Sequence, residues 1–116
     1  MRFLLLMAEA DHFDAWESAP PAHRDRVVAD FQAFDEAVRA RGTILAGEAL
    51  DRPEAARTVR PGADRPVTEG PFAETVEQLG GFYLVDVDSH DAAVELAALL
   101  PREYTVEVRP VVEVDL

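Results

Sequence analysis

Val27, Phe31, Phe34 and Val38 follow one another at spacings of four, three and four. On a 3.6-residue helix they form one stripe, and a helix with a single apolar stripe has to lie against a surface. Pro20 and Pro21 stand ahead of it, where proline suits a first helical turn. Gly42 follows Arg41 as the candidate left-handed stop. Asp35 and Arg39 make an i, i+4 pair on the outer side. The remaining segments must supply the surface that this helix covers.

Strand signals stand on both sides of the helix. Residues 2–8 are a continuous apolar run and read as a strand buried on both faces. Residues 9–18, with His12 and Trp16, read as a polar connection. Residues 43–50 read as a second strand containing Gly47. Residues 57–60 and 66–69 flank Pro61-Gly62-Ala63-Asp64 and read as a hairpin. Gly70-Pro71 breaks it, and residues 72–79 read as irregular or a single helical turn. Residues 81–87 form the clearest strand. Asp88 or Ser89 then caps a second helix that runs to Leu100, with Val94, Leu96, Ala97, Leu99 and Leu100 as a broad apolar face and Pro101 as its end. Residues 105–114 read as the last strand, with Val106 and Val108 opposite Glu107 and Arg109.

The order is β-α-β, hairpin, β-α-β. It predicts a ferredoxin-like α+β domain, an antiparallel sheet with both helices on one face. Such a sheet has an open second face, and a homodimer is its natural completion. A length of 116 residues suits one domain. Its hydrophobic fraction of 48% suffices for a core. Eleven basic against 23 acidic residues leave a net charge of −12. That charge argues against nucleic acid or an anionic membrane as partner. Without cysteine there is no thiolate zinc site and no cysteine nucleophile. Every basic residue is arginine, so a Schiff-base lysine and a P-loop lysine are excluded too. The first apolar run is too short to span a bilayer, and a cytoplasmic protein is the expectation.

The segment Thr68-Glu69-Gly70-Pro71-Phe72-Ala73-Glu74, continued by Glu77-Gln78-Leu79-Gly80-Gly81-Phe82-Tyr83, resembles the YCII-related family in its Asp-Gly-Pro-Phe branch. The opening strand, Trp16, Gly47-Glu48-Ala49-Leu50, Thr58-Val59-Arg60 and Val106-Glu107-Val108-Arg109-Pro110-Val111 extend the resemblance over nearly the whole chain, as one domain over residues 1–116. Glu69 replaces the motif's aspartate and keeps a carboxylate; Val76 replaces a lysine and loses a charge. The resemblance implies a ferredoxin-like fold paired into a dimeric α/β barrel. Members of the wider superfamily act on small organic molecules, by lactone isomerisation and dehalogenation among other reactions. Some members are described as associated with transcription initiation.

Two readings of function follow. In the first, the protein binds or transforms a small organic molecule by carboxylate and histidine acid–base chemistry. Glu48 is a candidate acid or base because it interrupts an apolar strand, where an unpaired carboxylate is costly. His12 is the one histidine considered catalytic, since imidazole titrates near neutrality, with an exposed loop position as its structural alternative. Arg109 would hold a substrate anion, with Glu69, Glu74 and Phe72 of the motif segment as further binding residues. The structural alternative pairs Glu48, Glu107 and Arg109 as ions on the open face or a dimer interface, makes Phe72 a core anchor, and leaves the Glu69, Glu74 and Glu77 run solvated. Gly80-Gly81 reads as close packing at a strand start, and His23 and His90 as exposed. No metal or cofactor is expected. In the second reading the protein is a non-catalytic dimer that contacts another protein, such as part of the transcription apparatus.

Overall fold

The computed structural model describes residues 1–115. Strand β1 (Arg2–Ala10) leads through helix α1 (His12–Ser18) into the long helix α2 (Pro21–Arg41). Strand β2 (Thr43–Ala49) follows, then a 3-10 turn (Pro53–Ala55) and the short strands β3 (Arg57–Val59) and β4 (Val67–Glu69). Strand β5 (Glu77–Asp86), helix α3 (His90–Ala97) and strand β6 (Thr105–Pro110) complete the chain. The main sheet has the order β2-β5-β1-β6 and all its pairings are antiparallel, while β3 and β4 form a separate two-stranded sheet. The fold is therefore mixed α+β with one four-stranded antiparallel sheet and three helices.

One face of the sheet holds the core. Phe3, Leu5 and Met7 of β1 and Val85 of β5 are buried against Phe34 and Val38 of α2 and Ala92, Ala93, Leu96 and Ala97 of α3. The predicted stripe on α2 faces this way, with Val27, Phe34 and Val38 buried and Phe31 half-buried. Leu4, Leu6, Phe82 and Leu84 occupy alternate positions, stand on the opposite face and are only half-buried. The first strand is thus buried on one face rather than both. The molecule is a slab of 48 × 45 × 17 Å, one sheet and one helical layer thick.

Several boundaries differ from the sequence reading. Residues 9 and 10 continue β1, and the expected polar connection contains α1. Asp11 turns the chain between them in the left-handed region, φ 51°, which aspartate tolerates better than most residues. Strand β5 begins at Glu77, four residues ahead of the expected start, because Glu77, Gln78 and Leu79 pair with Ala10, Glu9 and Ala8. Ser89 caps α3 by accepting from the Ala92 N–H at 3.1 Å. Leu96, Ala97 and Leu100 of the expected face are buried, while Val94 and Leu99 are about half exposed, at 51% and 44%, and the small residues Ala92 and Ala93 are buried in their place. The last strand stops at Pro110, short of the expected Val114, and Val111 N–H still donates to the Arg2 carbonyl at 2.9 Å. Gly42 is extended, φ 178°, rather than left-handed. Its Cα lies so close to β5 that a Cβ would sit 2.1 Å from the Asp86 carbonyl oxygen, so a side chain cannot be accommodated. No helix of the described residues is long and apolar enough to cross a membrane.

Candidate functional site

Odd-numbered residues of β1 face the helices, so Glu9 falls on the same side as Phe3, Leu5 and Met7. It ends an apolar row with a carboxylate. Three residues on, at the start of α1, His12 turns back over the sheet, and its Nδ1 lies 2.7 Å from Glu9 Oε1. The two side chains are 16% and 17% exposed. A part-buried carboxylate beside an imidazole nitrogen holds a proton on that nitrogen, so Nδ1–H donates to Glu9.

The sheet makes room for that ring. In the β1–β5 ladder Met7 pairs with Gly81 and Ala8 with Leu79, so Gly80 is an extra residue in β5, a β-bulge. A Cβ on Gly80 would stand 2.5 Å from His12 Nε2. Glycine there lets the imidazole rest directly on the backbone. Gly47 does the same for Tyr83, whose ring carbons lie 2.6 Å and 2.7 Å from where its Cβ would be.

His12 opens on a cavity of about 540 Å³ between α1, α2 and the β2–β5 side of the sheet. Its walls carry Phe13, Trp16, Phe31, Tyr83 and Tyr104. Ring contacts tie this wall together. His12 meets Phe13 edge-on at 4.8 Å between centroids. It meets Tyr104 edge-on at 5.5 Å. Phe31 leans on both Tyr83 and Tyr104. Tyr104 is pushed up to about 12, first by burial and then by the Glu9 and Glu103 carboxylates, with Arg26 opposing. Burial and Asp35 push Tyr83 up as well. Both phenols therefore stay protonated through the neutral range. No arginine lines the cavity among the described residues. Arg52, at the edge of α1, lies over the Phe13 ring and is held by Asp14 and Glu17.

Of the other predicted site residues, Glu48 borders this cavity, and Arg109, Glu69, Glu74 and Phe72 do not. Glu48 is exposed on the edge strand β2; it borders the cavity without a hydrogen-bonding partner among the described residues. Arg109 is on the opposite edge strand, β6, with its side chain 67% exposed and paired to Glu107 at 2.6 Å. Both interrupt apolar strands at no burial cost because those strands are the sheet's edges. Glu48 and Arg109 are thus separated by β5 and β1 and do not form one site. Phe72 is 80% exposed, neither a core anchor nor a wall of the cavity. Glu69 and Glu74 are exposed as well, Glu69 lying 3.6 Å from Arg57. His23 is half-buried rather than exposed, and His90, exposed as expected, stacks on Phe3 and reaches the Val108 carbonyl at 3.1 Å. Glu9 and Tyr104 escaped the sequence reading. The signal for Glu9 was present: the i, i+2 row from Phe3 through Met7 continues onto it.

Comparison with known proteins agrees with the residue-level resemblance. Residues 1–115 match the model of the YCII-related domain. The chain is also 38% identical over 91 residues, 74% of its own length and 73% of the relative's, to "Uncharacterized protein R00369" of Rhizobium meliloti (strain 1021).

Proposed function

The chain belongs to the YCII-related family, and from the site it carries we propose that it binds a small, uncharged, largely apolar ring compound and moves a proton on it. The observation that carries this reading is the Glu9–His12 pair on the wall of an aromatic cavity. Neutral His12 takes a proton from an acidic C–H of the ligand onto Nε2, and the electron pair stays on the ligand as a delocalised anion. Glu9, accepting from Nδ1–H, stabilises the imidazolium formed when Nε2 takes the proton and keeps the ring in register. Return of the proton to a different atom of the ligand completes an isomerisation with no other reactant.

Charge favours a neutral ligand. The chain's −12 repels anions at long range, and the cavity wall has no arginine to receive one among the described residues. Arg109, expected to hold a substrate anion, is committed to Glu107 on the far edge of the sheet. Benzyl alcohol and benzoate form a matched pair of probes. Benzyl alcohol should perturb the His12 ring signals at concentrations at least about tenfold lower than benzoate does. For the chemistry, deuterium uptake at the α-carbon of β-tetralone in D2O should fall by roughly 10²-fold in His12→Gln, the usual scale for a general base. Equal uptake by the native chain and the variant would overturn the reading.

We also propose a ferredoxin-like arrangement in which two copies pair through the open sheet face. Leu4, Leu6, Phe82 and Leu84 support it, being apolar, contiguous and remote from the helices. The rival reading, a non-catalytic interaction protein, leaves the Glu9–His12 geometry without a purpose.

A further inference from the structure

Glu103 lies just ahead of β6 and its two oxygens have different surroundings. Oε1 accepts from Arg26 of α2 and has Arg102 at 3.7 Å. Oε2 is buried and has no hydrogen-bond partner among the described residues. A buried carboxylate oxygen left unpaired is costly enough that such atoms nearly always have a partner, protein or water. Next to it is a cavity of about 10 Å³, lined by Glu9, Trp16, His23, Val27, Glu103 and Tyr104 among others. That is about the volume one water molecule needs.

Its location links it to the larger site. Glu9 is the carboxylate that holds His12 Nδ1, and Tyr104 lines both cavities. The Tyr104 phenol feels both Glu9 and Glu103 and stays a donor through the neutral range.

We propose that this small cavity is a structural water site joining Glu103 to Glu9, and that Glu103, clamped by Arg26, is a positioning residue for the Glu9–His12 pair. The water donates one hydrogen to Glu103 Oε2 and the other to the Glu9 carboxylate. That leaves Glu9 a fixed rotamer, and through it His12 a single tautomer. The inference rests on the proposed role of His12, but its test does not.

A high-resolution crystal structure of the native chain should show one ordered water in contact with Glu103 Oε2. In a long-range ¹H–¹⁵N spectrum of histidine-labelled protein, His12 should be a single Nδ1–H tautomer. Glu103→Gln keeps the shape and a polar oxygen, and should keep both features. Glu103→Leu should lose the water, turn His12 into a mixture of tautomers, and lower the kcat of β-tetralone exchange about tenfold with KM unchanged. A dry cavity in the native crystal overturns the proposal whether or not any variant folds. So does an unchanged His12 tautomer in a folded Glu103→Leu. If tetralone exchange is absent altogether, the His12 reading fails while the water and tautomer results still decide the role of Glu103.

Discussion

A missing side chain decides as much at this site as the side chains present. Gly80→Ala would place a methyl 2.5 Å from His12 Nε2 and has to push the imidazole off the sheet. We expect the His12 signals to shift and β-tetralone exchange to be lost, with a stability cost of about 1–3 kcal/mol for the overpacking. Gly70→Ala is the control. Gly70 has φ +90° and open space around it. Alanine there costs about 1 kcal/mol of backbone strain and leaves His12 untouched. Urea titration and the histidine spectrum together distinguish the two outcomes. Tyr104 gives a pH test. Its folded pKa, about 12, lies above the ordinary value near 10. The phenol's contribution to stability is therefore complete below about pH 10 and is lost as the pH rises through about 12. Urea titrations from about pH 9 to about pH 11.5 should show a steeper decline for the native chain than for Tyr104→Phe.

Among the elements, α3 shows how a sequence can be read correctly as a helix and only partly as a face. Of the broad face expected, Leu96, Ala97 and Leu100 are buried, but Val94 and Leu99 are not, and Ala92 and Ala93 turn inward in their place, where small residues bring the helix close to the sheet. Leu96→Ala should therefore cost about 2–5 kcal/mol and Leu99→Ala less than about 1 kcal/mol, read by thermal or urea unfolding. Helix α2 was legible because its stripe is bulky and periodic. Helix α1 was not, because seven residues, with acids among them and none of them buried, give no period to detect. The same gap hid the site. With the strand ended two residues early, Glu9 lost its inward orientation and His12 its partner. The exposure of Glu48 and Arg109 was hidden for a related reason: hydropathy marks a strand as apolar but does not say that it will be an edge. The Gly-Pro-Phe segment identified the family and contributes no wall to the cavity.

For the whole molecule, the proposed pairing through the sheet has a direct test. A stable interface would bury at least about 1,000 Å². Leu84→Glu puts a charge on the open face, away from the Glu9–His12 pair, and light scattering should then report the mass of one chain where the native protein gives two. Two copies that each carry −12 repel, so native association should tighten as salt is raised from low ionic strength and the Debye length shrinks. A native chain that scatters as a single copy at micromolar concentration would set the pairing aside.

The slab shape also governs how the molecule moves through water. Its radius of gyration is 16.1 Å. A compact domain of this length would have about 13 Å. A disc drags more solvent than a ball of equal mass, so a lone copy should sediment slowly and tumble unevenly about its axes. Stacking two discs face to face doubles the thin dimension of 17 Å and leaves the broad ones unchanged, which makes the pair rounder than either half. Its sedimentation coefficient should therefore rise by more than the doubled mass alone would give. Edge-to-edge association of the same two copies would do the reverse, and the frictional ratio alone tells the two geometries apart.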